Sequence, residues 1–194
     1  MKRSHPHLVK VAMIVLLSFG SLGIISGSFF LKKAFSNTNE PELITDPARY
    51  SEIRHQLWSN NDQIKYFPDQ IPTDTKSVRI AYSPGFLQGG SYFQVRLKQS
   101  PQKIQKLLSQ YRNIALHTYR GGSTNDHVNL PNGVPTTFFY TSDSPTESFP
   151  PGYEILVLDA QDRGTPGFKW NHGNSHGVAI NNLTSEIVYW AEQW

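Results

Sequence analysis

Residues Ser91–Arg112 read SYFQVRLKQSPQKIQKLLSQYR, and two different periods meet inside that stretch. From Ser91 to Lys98, Phe93, Val95 and Leu97 alternate with Gln94, Arg96 and Lys98. A period of two marks a half-buried strand with one wet face. At Ser100-Pro101 the pattern changes. A serine side chain can accept from the free N–H groups of a first helical turn, and proline loses nothing at the first helical position. Ile104, Leu107, Leu108 and Tyr111 then recur at i, i+3, i+4 and i+7, the stripe of an amphipathic helix. A strand that hands over to a helix in this way belongs to a mixed domain.

Working outward, Val78, Ile80 and Tyr82 alternate through Ser77–Tyr82, and Pro84-Gly85 and Gly89-Gly90 punctuate the connection to the next strand. Upstream, Asp46-Pro47 repeats the cap-and-proline start. Tyr50, Ile53 and Leu57 predict one buried face of a helix that ends near Trp58, before Asn60-Asn61-Asp62. Downstream, Ala115–Tyr119 predicts a short strand, Arg120–Pro135 a loop, Thr136–Thr141 (TTFFYT) a strand, and Tyr153–Asp159 (YEILVLD) a central strand. After a loop rich in Gly and Pro that ends near Gly177, Val178–Asn181 and Glu186–Ala191 face each other as a hairpin around Asn182-Leu183-Thr184. This order predicts an α+β fold: one mostly antiparallel sheet with about two helices on one face.

The N-terminus is of another kind. Val11–Leu31 (VAMIVLLSFGSLGIISGSFFL) runs for 21 residues without a charge, between Lys10 and Lys32. At ~1.5 Å per residue a helix of that length reaches ~30 Å, the hydrocarbon thickness of a bilayer. The expected organisation is therefore a short cytoplasmic tail (1–10), a transmembrane helix (11–31), a linker (32–45) and an extracytoplasmic domain (46–194). A secretory signal has a shorter apolar core of ~7–15 residues, which favours a retained anchor over cleavage at Ala34-Phe35-Ser36. Lys2, Arg3 and Lys10 outnumber Lys32 and Lys33, and the positive-inside rule then puts the N-terminus in the cytoplasm. Gly23 and Gly27 form a G-x-x-x-G pair, a candidate homodimer seam.

The overall charge of +3 comes from that N-terminus. Five of the 18 Lys and Arg flank the apolar run, while all 15 acids lie at Glu40 or later, so the domain carries 13 − 15 = −2. Its cations are scattered rather than gathered on one face, which argues against a nucleic-acid partner. With no cysteine, thiolate catalysis, disulfides and Cys-ligated metal are excluded. No cofactor-binding fingerprint occurs, and no cofactor is expected.

Three patterns are candidates for chemistry. Gly173-Asn174-Ser175-His176-Gly177 fits the G-x-S-x-G of a serine-hydrolase elbow, but such an elbow needs a helix after the Ser and a His further on. Here Val178-Ala179-Ile180 reads as a strand, and His176 is the last histidine. His172 and His176 are spaced to share a metal only if a helix aligns them, and Gly173 and Gly177 argue against one. Asp159 and Asp162 end an apolar strand, where a pair of carboxylates could exchange protons if burial raised one pKa. His127, Trp170 and Asn171 are binding candidates, since rings and amides on loops bind polymers or sugars.

The leading expectation is a single-pass anchored protein that presents a binding or interaction domain to a protein or glycan. Its recognition surface is the loop set Arg120–Pro135 and Gly164–Gly177. The rival readings are a hydrolase or metal-dependent enzyme built on His172, His176, Ser175, Asp159 and Asp162, and a structural envelope component.

Overall fold

A computed structural model describes residues 43–58, 60–85, 90–122, 127–144 and 147–194. The chain divides after Glu40, and the α+β fold belongs to the unit Pro41–Trp194. The apolar run 11–31, with Gly23 and Gly27, lies outside the described residues. Among the described residues no helix is long and apolar enough to cross a membrane.

Among the described residues six strands form one antiparallel sheet: β1 (Ser77–Ser83), β2 (Ser91–Lys98), β3 (His117–Arg120), β4 (Glu154–Asp162), β5 (Gly173–Asn181) and β6 (Glu186–Gln193). Their order is β1-β2-β6-β5-β4-β3. The last four strands thus run as a meander that closes back on β2, and the helix between β2 and β3 carries the chain across to the far edge. That helix, α3 (Pro101–Arg112), starts where the sequence places it, with the Ser100 hydroxyl accepting from the Lys103 N–H at 3.3 Å. Ile104, Leu108 and Tyr111 are its buried side chains.

The first helical stretch, α1, spans residues 47–57 and changes pitch as it goes: 3-10 over Pro47–Arg49, α over Tyr50–Glu52, π over Ile53–Leu57. Asp46 caps it through the Ala48 N–H. The Trp58 N–H closes the last turn onto the Ile53 carbonyl, five residues back. That wider turn breaks the expected stripe. Leu57 is rotated outward to 37 % exposure, and Trp58 takes the core position in its place. A second helix, α2 (Asn61–Ile64), follows at once, where the sequence had read only a stop.

The helices cover one face of the sheet. Ile53, Ile64, Phe67, Ile104 and Leu108 pack there on Phe93, Val95, Leu156, Val178, Ile180, Ile187 and Tyr189. The other face is covered by extended chain instead of helix. Thr136–Thr141, expected as a strand, pairs with none. Its alternation is nevertheless real, with Thr137, Phe139 and Thr141 buried and Phe138 exposed. The segment lies across the sheet, held by the fully buried Gln94, whose amide donates to the Phe138 carbonyl (2.8 Å) and accepts from the Thr141 N–H (2.9 Å). Beside it Arg96 joins Glu186 (2.7 Å) and Asp143 (2.9 Å), while Tyr153 and Thr184 hydroxyls donate to the same Glu186 carboxylate.

Candidate functional site

β5 begins at Gly173, so the expected loop ends at His172 and the G-x-S-x-G pattern lies in the middle of the sheet. Its glycines are there for packing. A Cβ on Gly177 would run into the Leu156 carbonyl and come within 3.0 Å of the Trp190 ring, and one on Gly173 would meet the Trp194 ring at 3.2 Å. Strand alternation then sends Ser175 and His176 to opposite faces. Ser175 faces the side covered by extended chain and is fully buried, with no partner for its hydroxyl. No strand-to-helix turn presents it, and the residue beside it in sequence cannot reach it as a base.

His172 and His176 also part. Four residues of extended chain cover ~13 Å, too far for two imidazoles to share one ion. Among the described residues, no three His, Asp or Glu side chains are grouped so as to hold a metal. Asp162 braces the loop after β4 with one carboxylate oxygen: Oδ1 accepts from the Gly164 N–H (2.8 Å) and the Trp170 N–H (3.0 Å). Asn171 holds the same loop through the Thr165 N–H. Trp170 sits at φ 61° and offers its carbonyl to the Trp194 indole N–H (2.8 Å). His127 is buried elsewhere, stacked on Tyr119 at 4.3 Å with Nδ1 3.1 Å from the Thr136 hydroxyl.

His176 and Asp159 do come together, by way of a bulge. The β4–β5 register runs Val157 to Gly177 and then Asp159 to His176, skipping Leu158. An extra residue re-aims the chain beyond it, so Leu158 and Asp159 both line the helix side of the sheet. There a cavity of about 500 Å³ opens between α2 and the ends of β4 and β5, lined by Asn60, Asp62, Gln63, Lys65, Tyr66, Leu158, Asp159, Gln161, Arg163, Asn174 and His176. At its floor His176 is 6 % exposed and stacks on the Tyr66 ring at 5.8 Å. Burial holds its imidazole below the usual histidine pKa; the nearby Asp159 carboxylate pulls the other way and Lys65 reinforces the lowering. The ring is therefore neutral at pH 7, and its Nδ1 has no hydrogen-bond partner. Gln63, 3 % exposed, is in the same position: its carbonyl accepts from the Gln193 amide (2.6 Å), and its own Nε2 donates to nothing.

The chain matches no model of a protein family, no curated protein and no solved structure. Its site therefore has to be read from its own atoms. Most of the cavity escapes sequence reasoning because α2 and the residues on either side of it supply five of its lining residues, Asn60, Asp62, Gln63, Lys65 and Tyr66, and α2 has too few apolar residues to show a period. The signal that was available is the dense amide and acid run Asn60-Asn61-Asp62-Gln63.

Sequence reasoning also missed Glu192. It faces Ser175 across β5 and β6 and Tyr92 across β2, on the side covered by extended chain. Burial pushes its carboxyl up to about 7, against the hydrogen bonds from Thr137 and Tyr140 that favour the charged form. The Tyr140 hydroxyl donates to Oε1 at 3.1 Å and stacks its ring on Tyr92, while Oε2 has no partner.

Proposed function

We propose that this chain is a single-pass membrane-anchored protein whose α+β domain serves on the outer side as a binding module. The cavity under α2 and the neighbouring loop 163–172 are its recognition surface. The observation that carries the binding reading is a cavity lined by nine polar side chains besides Tyr66 and Leu158, among them Gln63 and His176, each of which holds one buried polar atom, Nε2 and Nδ1, that no protein group pairs. A buried donor or acceptor without a partner is destabilising, and native proteins keep few of them. Either atom gains a partner when its side chain turns toward a ligand held in the cavity. The anchor rests on the uncharged run 11–31, and the orientation on the Lys and Arg around it. The enzyme reading finds less support, because Ser175 and His176 face opposite ways and Asp162 is engaged in the loop.

Two measurements test the proposal. An outside-active phosphatase fused after Trp194 is expected to be active and a cytoplasm-active reporter silent; the reverse result overturns the topology. Hydrogen exchange of the full chain is expected to be slower around residues 63–66 and 174–176 in native membranes than after purification. Equal exchange in both settings overturns the binding reading.

A further inference from the structure

The cavity's lining narrows the chemistry of what fills it. Two cations, Lys65 and Arg163, stand against two carboxylates, Asp62 and Asp159, so a singly charged ligand gains no net attraction from the site as a whole. Leu158 is the one aliphatic residue of its lining among the described residues, which leaves little for an apolar ligand to bury against. Four amides, Asn60, Gln63, Gln161 and Asn174, each carry donors and an acceptor. Carboxylates accept only, and the neutral imidazole donates at one ring nitrogen and accepts at the other. A hydroxyl group, donor and acceptor at once, suits every member of that set. The volume falls within the range of small-molecule sites, roughly 300–1,000 Å³.

We propose that the cavity between α2 and the bulged end of β4 binds a neutral, hydroxyl-rich small ligand, a saccharide unit, through the side chains of His176, Asp159 and the four amides that line it. This rests on the reading of the domain as a binding module. The Tyr66 ring is the back wall that holds His176 in place, with Lys65 Nζ 5.3 Å from the ring centroid.

The test uses the full chain in nanodiscs, which avoids detergents with sugar head groups. Methyl glucoside, glucuronate and glucosamine present one ring in neutral, anionic and cationic form, and saturation-transfer NMR reads their binding. Methyl glucoside is expected to bind at least tenfold more tightly than either charged analogue. Gln63→Leu with His176→Phe is expected to weaken it at least tenfold, the new ring keeping the stack on Tyr66. Asp159→Asn, at a half-exposed position that leaves the core untouched, is expected to weaken it severalfold and covers the case in which the double variant fails to fold. Tighter binding of glucuronate or glucosamine, or no transfer to any of the three, overturns the assignment. If the exchange protection in native membranes persists alongside such a result, the ligand class alone has failed and the module reading stands.

Discussion

Replacing Glu192 by Gln should flatten the pH dependence of folding. The carboxyl moves from its ordinary 4.5 to about 7 in the folded state because burial disfavours its charge. The folded protein therefore holds this proton more tightly than the unfolded chain does. A raised carboxyl pKa gives stability that is greatest in acid, declines as pH rises from about 4.5 to about 7, and levels off above that. At ~1.4 kcal/mol per pH unit, the interval from 4.5 to about 7 amounts to about 3 kcal/mol, most of it lost between pH 5 and pH 8. Gln keeps the shape and the acceptor for Tyr140 but cannot ionise. Glu154, Glu186 and His176 also titrate with shifted pKa values, all three lowered, so their contributions run the opposite way, improving as pH rises. They are common to both proteins and drop out of the difference. The assay is urea unfolding followed by tryptophan fluorescence, all four Trp lying in the domain. Wild type should lose roughly 2–3 kcal/mol more than Glu192→Gln between pH 5 and pH 8. Parallel curves for the two would refute the claim that this carboxyl is buried in its charged form's least favourable setting.

Arg96→Ala should destabilise the fold by about 3 kcal/mol, since it leaves the largely buried Glu186 carboxylate without its cation, while Asp143 keeps its pair with Arg79; thermal unfolding reads it, and a change under ~1 kcal/mol would count against the network. Gly177→Ala should lower stability by about 2–3 kcal/mol through overlap with the Leu156 carbonyl and the Trp190 ring, whereas the same change at the open Gly122 should be nearly neutral.

What the sequence revealed, and what it hid, divides along physical lines. The strand at Ser91–Lys98 and the helix from Ser100 were legible because their periods run long and their caps are local. Thr136–Thr141 misled because alternation reports an extended chain with one side buried; whether that chain joins a ladder depends on Gln94, 47 residues from Thr141. Leu57 misled because a π turn, which no composition announces, shifts the face by one residue. The Gly173–Gly177 stretch looked like a loop because its glycines make room for Trp190 and Trp194, partners visible only once β6 lies alongside. Asp159 and His176 were both singled out, but their meeting needs the skipped residue Leu158, and the pairing of Glu192 with Ser175 needs a register. The site was half legible: its two central side chains stood out, and the amides around them did not.

The short bridge between Ile44 and Tyr82 has a practical consequence. Each donates its N–H to the other's carbonyl at 2.9 Å, on the outer side of β1, and Val78 and Ile80 turn their backbone groups the same way. A bare strand edge invites pairing with another molecule. A soluble fragment cut to begin at Asp46 would lose that clasp and lengthen the sticky rim, favouring insoluble aggregates; one that begins at Pro41 keeps it.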